Sequence, residues 1–285
     1  MSSLGSVLTA IVTPFGADGK VDDAAFVALM AYLDQQGSDG VVVAGTTGEA
    51  ATLDDDEHLD LIALAAQERP RPDFTVIAGV GSNDTRHAVK LTAGACERGA
   101  DALLSVNPYY NRPNRRGLLA HYREVSAAAD RPIVLYNIPQ RTGADLSNEL
   151  LAELAQIEHI DAVKQANNDN LALVDGLALY AGNDDVFART LEMGGAGGIL
   201  VASHVLSPQM RRMADEPHNR ASIDQEIRGV VTALGIAPAA TTAKAALGLL
   251  GHPVGDPRLP YVSVSEEELT IIKNALAAID LLPSA

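Results

Sequence analysis

What most constrains this chain is an alternation that starts near its first residues. Short, almost uninterrupted apolar runs are separated by longer stretches in which apolar residues recur every three or four positions. Eight runs stand out: Val7–Val12, Gly40–Val43, Phe74–Gly79, Ala102–Val106, Pro132–Asn137, Ile160–Gln165, Leu177–Ala181 and Gly197–Val201. Runs this short, apolar throughout and without polar alternation, read as parallel strands buried on both faces. The stretches near residues 23–36, 54–68, 84–98, 115–129, 147–156 and 185–193 read as helices, with Phe26, Leu29, Met30 and Leu33 marking one apolar stripe. Asp23, Asp54 and Ser147, the last with Glu149 close behind, supply helix start signals.

Strands and helices in series fit two architectures. One is a closed eight-stranded (β/α)8 TIM barrel. The other is an open doubly wound sheet, which usually has fewer strands and a glycine-rich turn after the first. Here the first run ends in Thr13-Pro14-Phe15, and neither GxGxxG nor GxxxxGK[ST] occurs. The count therefore favours the barrel, although periodicity alone does not decide closure. After the eighth run the pattern becomes helical, at 208–216, 221–236, 239–250 and 266–281, with Gly251–Pro260 as a linker. The expected organisation is a barrel over residues 1–207 and a C-terminal helical extension over 208–285, packed on the barrel and not an independent domain.

Composition narrows the partners. A net charge of −16 argues against nucleic acid and against anionic lipid. No window reaches the roughly 20 apolar residues a membrane helix needs. The opening MSSLGSVLTAIVTPF has no basic stretch ahead of its short apolar run and does not read as a signal peptide. Cys96 is the single cysteine, read as a buried small hydrophobe, which suits a reducing, cytoplasmic setting.

In a barrel, chemistry belongs at the C-terminal ends of the strands. The polar groups there are Thr13, the Gly45-Thr46-Thr47-Gly48-Glu49 turn, Ser82-Asn83, Asn107-Pro108-Tyr109-Tyr110, Tyr136-Asn137 with Arg141, Lys164-Gln165, Asn183-Asp184-Asp185 and Ser203-His204. Lys164 stands out as one of only five lysines, placed where a strand is buried on both faces. Such an ammonium is either paired, with Glu49 or Asp184 as candidates, or discharged, and a neutral amine attacks ketones. The histidines show no metal-ligand spacing. Tyr110, Tyr136 and Thr46 are either packing residues or a hydroxyl relay that moves protons on and off a carbinolamine. A tyrosine beside an ammonium would have its pKa lowered, making it a usable base. The glycines around Thr46-Thr47 allow a tight turn whose amides can face a small carboxylate. Arg141 is either a surface salt bridge or a planar fork for a second carboxylate.

These motifs resemble the dihydrodipicolinate synthase family within the pyruvate-dependent class I aldolases. The resemblance runs from Ala10-Ile11-Val12-Thr13-Pro14-Phe15 through Gly45–Glu49, Asn107–Tyr110, Tyr136–Gly143, Val163-Lys164 and Gly182–Asp185 to Lys244–Leu247. It implies a barrel with a helical extension and a lyase that condenses pyruvate with aspartate semialdehyde on the route to diaminopimelate and lysine. It further implies no metal and no organic cofactor. Lys164 would form the imine. Tyr136 would be the central acid/base, hydrogen-bonded to Thr46, and Tyr110 would come from an adjacent subunit of a dimer, many members being dimers of dimers. Thr47 and the backbone near Leu200 would contact pyruvate, and Arg141 would hold the aldehyde's carboxylate. The nearest rival is a relative of the same fold acting on a sugar acid or other aldehyde, which Arg141 weighs against. Gln165, Asn167, Asn168 and Ser203-His204 depart from the pattern. A possible effector site comprises His58, Asn83, His87 and Tyr109, but His87 and Asp55 stand where the lysine-inhibited type has glutamate and histidine, so weak or absent lysine inhibition is expected.

Overall fold

The computed structural model describes residues 4–282. The apolar runs become β1 (Val7–Ala10), β2 (Gly40–Val43), β3 (Thr75–Gly79), β4 (Ala102–Val106), β5 (Ile133–Asn137), β6 (Ile160–Gln165), β7 (Ala178–Ala181) and β8 (Gly197–Leu200). Each strand pairs in parallel with the next, and β8 returns to β1. The sheet is therefore a closed barrel, not an open one. Successive side chains on a strand point to opposite faces. One row, including Leu8, Val42, Ile77, Leu104, Val134 and Tyr180, fills the barrel interior. The alternate row, including Val7, Val41, Val76, Leu103, Leu135 and Val163, packs under the helices. Both faces are dry, which is why the runs carry no polar alternation.

The surrounding helices are α1 (Asp23–Gln35), α2 (Asp55–Gln67), α3 (Thr85–Glu97), α4 (Arg115–Ala127), α5 (Pro139–Thr142), α6 (Asn148–Leu154), α7 (Phe187–Glu192) and α8 (Ser203–Asp215). Asp54 and Glu57 form a reciprocal capping box on α2, and the Ser147 side chain accepts from the Leu150 N–H of α6. On α1 the cap is Asp22, one residue before the expected signal. Cys96 is half-buried at the edge of the core, not fully enclosed.

α8 begins at Ser203, five residues before the expected start at 208. Pro208 reads as a helix-opening residue, since its missing N–H is harmless in the first turn, yet it lies inside α8. The division expected between residues 207 and 208 thus falls within the barrel's eighth helix. The extra C-terminal helices are α9 (Arg220–Leu234), α10 (Ala239–Leu249) and α11 (Glu266–Ala277), and α9 packs on α7, α8 and α11. Among the described residues no single helix is long and apolar enough to cross a membrane.

Candidate active site

Strand parity brings the chemistry together. On β6 and the residue after it the inward row is Ala162, Lys164 and Ala166, and on β5 and the residue after it Val134, Tyr136 and Ile138. Register places Tyr136 directly across from Lys164, and Lys164 across from Tyr180. The Lys164 ammonium lies 4.2 Å from the centre of the Tyr136 ring. Beyond the amine, at the barrel mouth, there is open space. That space is a cavity of about 430 Å³, lined by Thr46, Thr47, Tyr136, Arg141, Lys164 and Asp184 among others.

Lys164 is 5% exposed and, among the described residues, has no carboxylate within ion-pair distance. Burial pulls its pKa down to about 7; Asp184 opposes this and Arg141 adds to it. A large fraction of the amine is therefore uncharged near neutrality. Neither suggested partner is taken up by contact. Glu49 is paired with Lys244 at 2.8 Å. Asp184 Oδ1 accepts from the Val201 and Ala202 amides at 3.1 and 3.0 Å. Burial lifts the Asp184 carboxyl to about 6, against the pull of those two amides and of Lys164. Asp184 is a member of the cavity wall that its place after the seventh strand signalled.

Tyr136 corrects one expectation. Its pKa is raised to about 12 by burial, with Arg141 pulling weakly the other way. Desolvation outweighs the neighbouring charge, and the ammonium sits over the ring face. Tyr136 therefore keeps its proton near neutrality and can act as donor and relay, not as an ionised base.

The Gly45–Glu49 turn leaves β2 close under β3: a Cβ at Gly79 would fall 2.2 Å from the Ala44 carbonyl oxygen. Only glycine permits that approach. Thr13 closes the turn from below, its hydroxyl donating to the Gly48 carbonyl at 2.6 Å. Thr46 is exposed at the mouth and Thr47 is buried. Thr46 and Tyr136 line the same cavity, but their hydroxyls are not hydrogen-bonded to each other in the lone chain; such contacts commonly tighten only with substrate bound. Arg141 rides on α5, one turn opened by Pro139 and closed by Gly143 at φ 71°. It has no ion-pair partner among the described residues, so the surface salt bridge is not formed, and it borders the cavity. The Leu200 side chain packs in the outer layer, while the next residue, Val201, lines the cavity.

Tyr110 is the one expected relay member that the single chain does not bring in. It is 90% exposed, holds a left-handed φ of 72° and borders neither cavity.

The departures have local explanations. Gln165 Oε1 accepts from Asn137 Nδ2 and from the Asn167 N–H, each at 3.0 Å, locking the ends of β5 and β6 beside Lys164. Asn167 donates to Asp145, and Asn168 joins Asn183 to Asp185. His204 is buried. Its Nδ1 bonds the Val201 carbonyl at 2.7 Å and its Nε2 accepts from the Val12 N–H at 3.1 Å, bridging the ends of β8 and β1. This pair of bonds fixes a neutral tautomer, and burial lowers its pKa to about 4.

A second cavity of about 360 Å³ shares the wall made by Thr46, Tyr136 and Arg141. His58, His87, Tyr109 and Asp55 line it; Asn83 does not, although its carbonyl accepts from Asn111. The Asp55 carboxylate is held by His87 at 2.8 Å and by Lys90 at 2.6 Å. His58 bonds the Gly79 carbonyl, and its burial lowers its pKa.

A sequence model of the Dihydrodipicolinate synthetase family matches residues 3–279. The chain is 40% identical to the 4-hydroxy-tetrahydrodipicolinate synthase of Moorella thermoacetica, over 98% of this chain and 99% of that one. It superposes with a TM-score of 0.94 on a crystal structure of DHDPS from Cyanidioschyzon merolae with lysine bound, at 37% identity, covering 99% of this chain and 100% of that one. A chloride-inhibited dihydrodipicolinate synthase from Acinetobacter baumannii, complexed with pyruvate, superposes at 0.93 with 32% identity, covering 98% and 100%.

Proposed function

The chain belongs to the Dihydrodipicolinate synthetase family, and from that membership we propose that it is a 4-hydroxy-tetrahydrodipicolinate synthase, joining pyruvate to L-aspartate 4-semialdehyde through a Schiff base on Lys164. The observation that carries the site assignment is the unpaired, buried amine at the end of β6, facing Tyr136 and half-discharged near pH 7.

The neutral Lys164 amine attacks the keto carbon of pyruvate to give a carbinolamine. Tyr136 and Thr46 pass a proton to its oxygen, which leaves as water, and an iminium remains. The iminium nitrogen draws electrons, so a methyl proton is lost and an enamine forms. The enamine carbon bonds to the aldehyde carbon of the second substrate, whose oxygen takes up a proton. The amine of that substrate then attacks the iminium carbon, closing the ring and releasing Lys164. The net reaction frees one water. Thr47 and the neighbouring turn amides bind the carboxylate of pyruvate, with the backbone beside Leu200 and Val201, on the far side of β1, close to it. Arg141 holds the carboxylate of the aldehyde in a two-pronged grip. Tyr110 completes the relay from a neighbouring subunit, in a dimer or a dimer of dimers. We place the reaction in the cytoplasm, which the lone half-buried thiol of Cys96 supports.

Steady-state turnover with pyruvate and aspartate semialdehyde, set against cleavage of a sialic acid, tests the reading. We expect turnover with aspartate semialdehyde and little on the sugar acid; the reverse preference would overturn it. Arg141→Ala should raise the KM for the semialdehyde on the order of ten- to a hundredfold, as follows from a charge-assisted bond worth about 1.5–3 kcal/mol. Its pyruvate KM should change little.

A further inference from the structure

Glu49 is a non-glycine residue at φ 58°, only 1% exposed, at the end of the turn that carries Thr46 and Thr47. Its N–H donates to the Thr46 carbonyl at 3.2 Å, so the conformation of Glu49 and the place of Thr46 are linked. Everything that holds the Glu49 carboxylate comes from the far end of the chain. Lys244, on α10, approaches Oε1 at 2.8 Å as an ion pair, both side chains being almost wholly buried. Oε2 accepts from the Arg258 N–H at 2.8 Å. Arg258 in turn makes a two-pronged bond to Glu57 on α2, at 2.7 and 2.6 Å, and donates to the carbonyls of Thr52 and Gly19. The Phe15 ring lies beneath both cations, 4.3 Å from each. The linker is seated there by the Phe15 N–H bonding to the Val254 carbonyl, with Gly255 at φ 70° where a Cβ would strike the Phe15 carbonyl.

A carboxylate in that position has no water to turn to, and an amphipathic surface helix would need no buried cation. The barrel closes without α10, so the ion pair is not required by sheet topology. We propose that Lys244, supported by Arg258, is a positioning residue for catalysis: acting through Glu49, it holds the Gly45–Glu49 turn so that Thr46 and Thr47 face Lys164 across the cavity. The helical extension is then part of the catalytic apparatus. This deepens the proposed function and rests on it, because the loss is read in pyruvate binding and turnover.

The test compares full-length wild type, Lys244→Met and the double variant Glu49→Gln/Lys244→Met. Melting temperature, steady-state kinetics and borohydride trapping of pyruvate are measured on each. Lys244→Met leaves a buried carboxylate without its cation and should melt earlier. The double variant removes that carboxylate and should regain stability. For a positioning role, both variants show a higher pyruvate KM and a kcat lower on the order of ten- to a hundredfold, still trap pyruvate at saturation, and the double variant stays impaired despite its recovered melting temperature. The inference is overturned if kinetics stay within about twofold of wild type, if activity returns in step with stability, or if neither variant folds, since the pair would then be core structure only. Wild type that traps no pyruvate would instead sink the functional reading, and this inference with it.

Discussion

A lysine in water keeps its proton until the pH passes about 10. Lys164 has been moved to about 7, chiefly by burial. The shift has a sign that can be measured. The reactive form is the neutral amine, so the rate of imine formation at limiting pyruvate should climb with pH through about 7 and level off above it. A limb centred near the ordinary lysine value would contradict the burial described. Lys164 was legible because lysine is scarce in this chain and this one falls in a run that only a doubly buried strand explains. The state of Tyr136 was not legible. Its pKa depends on how burial weighs against charge, and that balance is set by neighbours distant in sequence. The second cavity turns on two residues. An effector's ammonium needs a free acceptor; at Asp55 the carboxylate is already taken by His87 and Lys90, and His87 carries no carboxylate to replace it. Lysine should therefore inhibit weakly or not at all, and half-inhibition at submillimolar lysine would refute this.

At the scale of elements, strands and long helices followed the apolar spacing to within a few residues. Two features did not. α8 starts five residues before position 208 and carries Pro208 in its interior, with the Ser207 hydroxyl donating back to the Ser203 carbonyl. α5 is a single turn, too short for any periodicity to register, yet it carries Arg141. His204 also braces the paired ends of β8 and β1, its two ring nitrogens bonding Val201 and Val12 just beyond strands that are neighbours in space and remote in sequence. Its folded pKa of about 4 lies below the ordinary 6.5. The neutral ring therefore contributes stability that is fully present above about pH 6.5 and is lost as pH falls through about 4, by up to roughly 3 kcal/mol. Asp184, whose pKa is raised, acts with the opposite sign over part of this window. Comparing wild type with His204→Leu isolates the histidine: the variant should be less stable at pH 7 and should lose less between pH 7 and 4. Equal slopes would remove His204 from that role.

At the scale of the whole molecule, the barrel was legible in the sequence as a count of buried runs, and its closure only through the resemblance. The proposed relay needs one residue, Tyr110, that lies outside both cavities of the single chain. A tyrosine 90% exposed on a left-handed backbone is an unusual surface feature, and it makes sense if Tyr110 reaches into a partner. Mixing inactive Lys164→Ala with inactive Tyr110→Phe should then restore activity, because hybrid dimers hold one intact site; equal mixing of a twofold dimer gives about a quarter of wild-type turnover. No recovery would place Tyr110 outside the neighbouring site. The account as a whole stands on the amine at the end of β6. Borohydride reduction in the presence of pyruvate, followed by mass spectrometry of the digest, reads it directly. The account expects the reduced three-carbon adduct on the peptide that contains Lys164, absent in Lys164→Ala. An adduct on another lysine, or none at all, would contradict it.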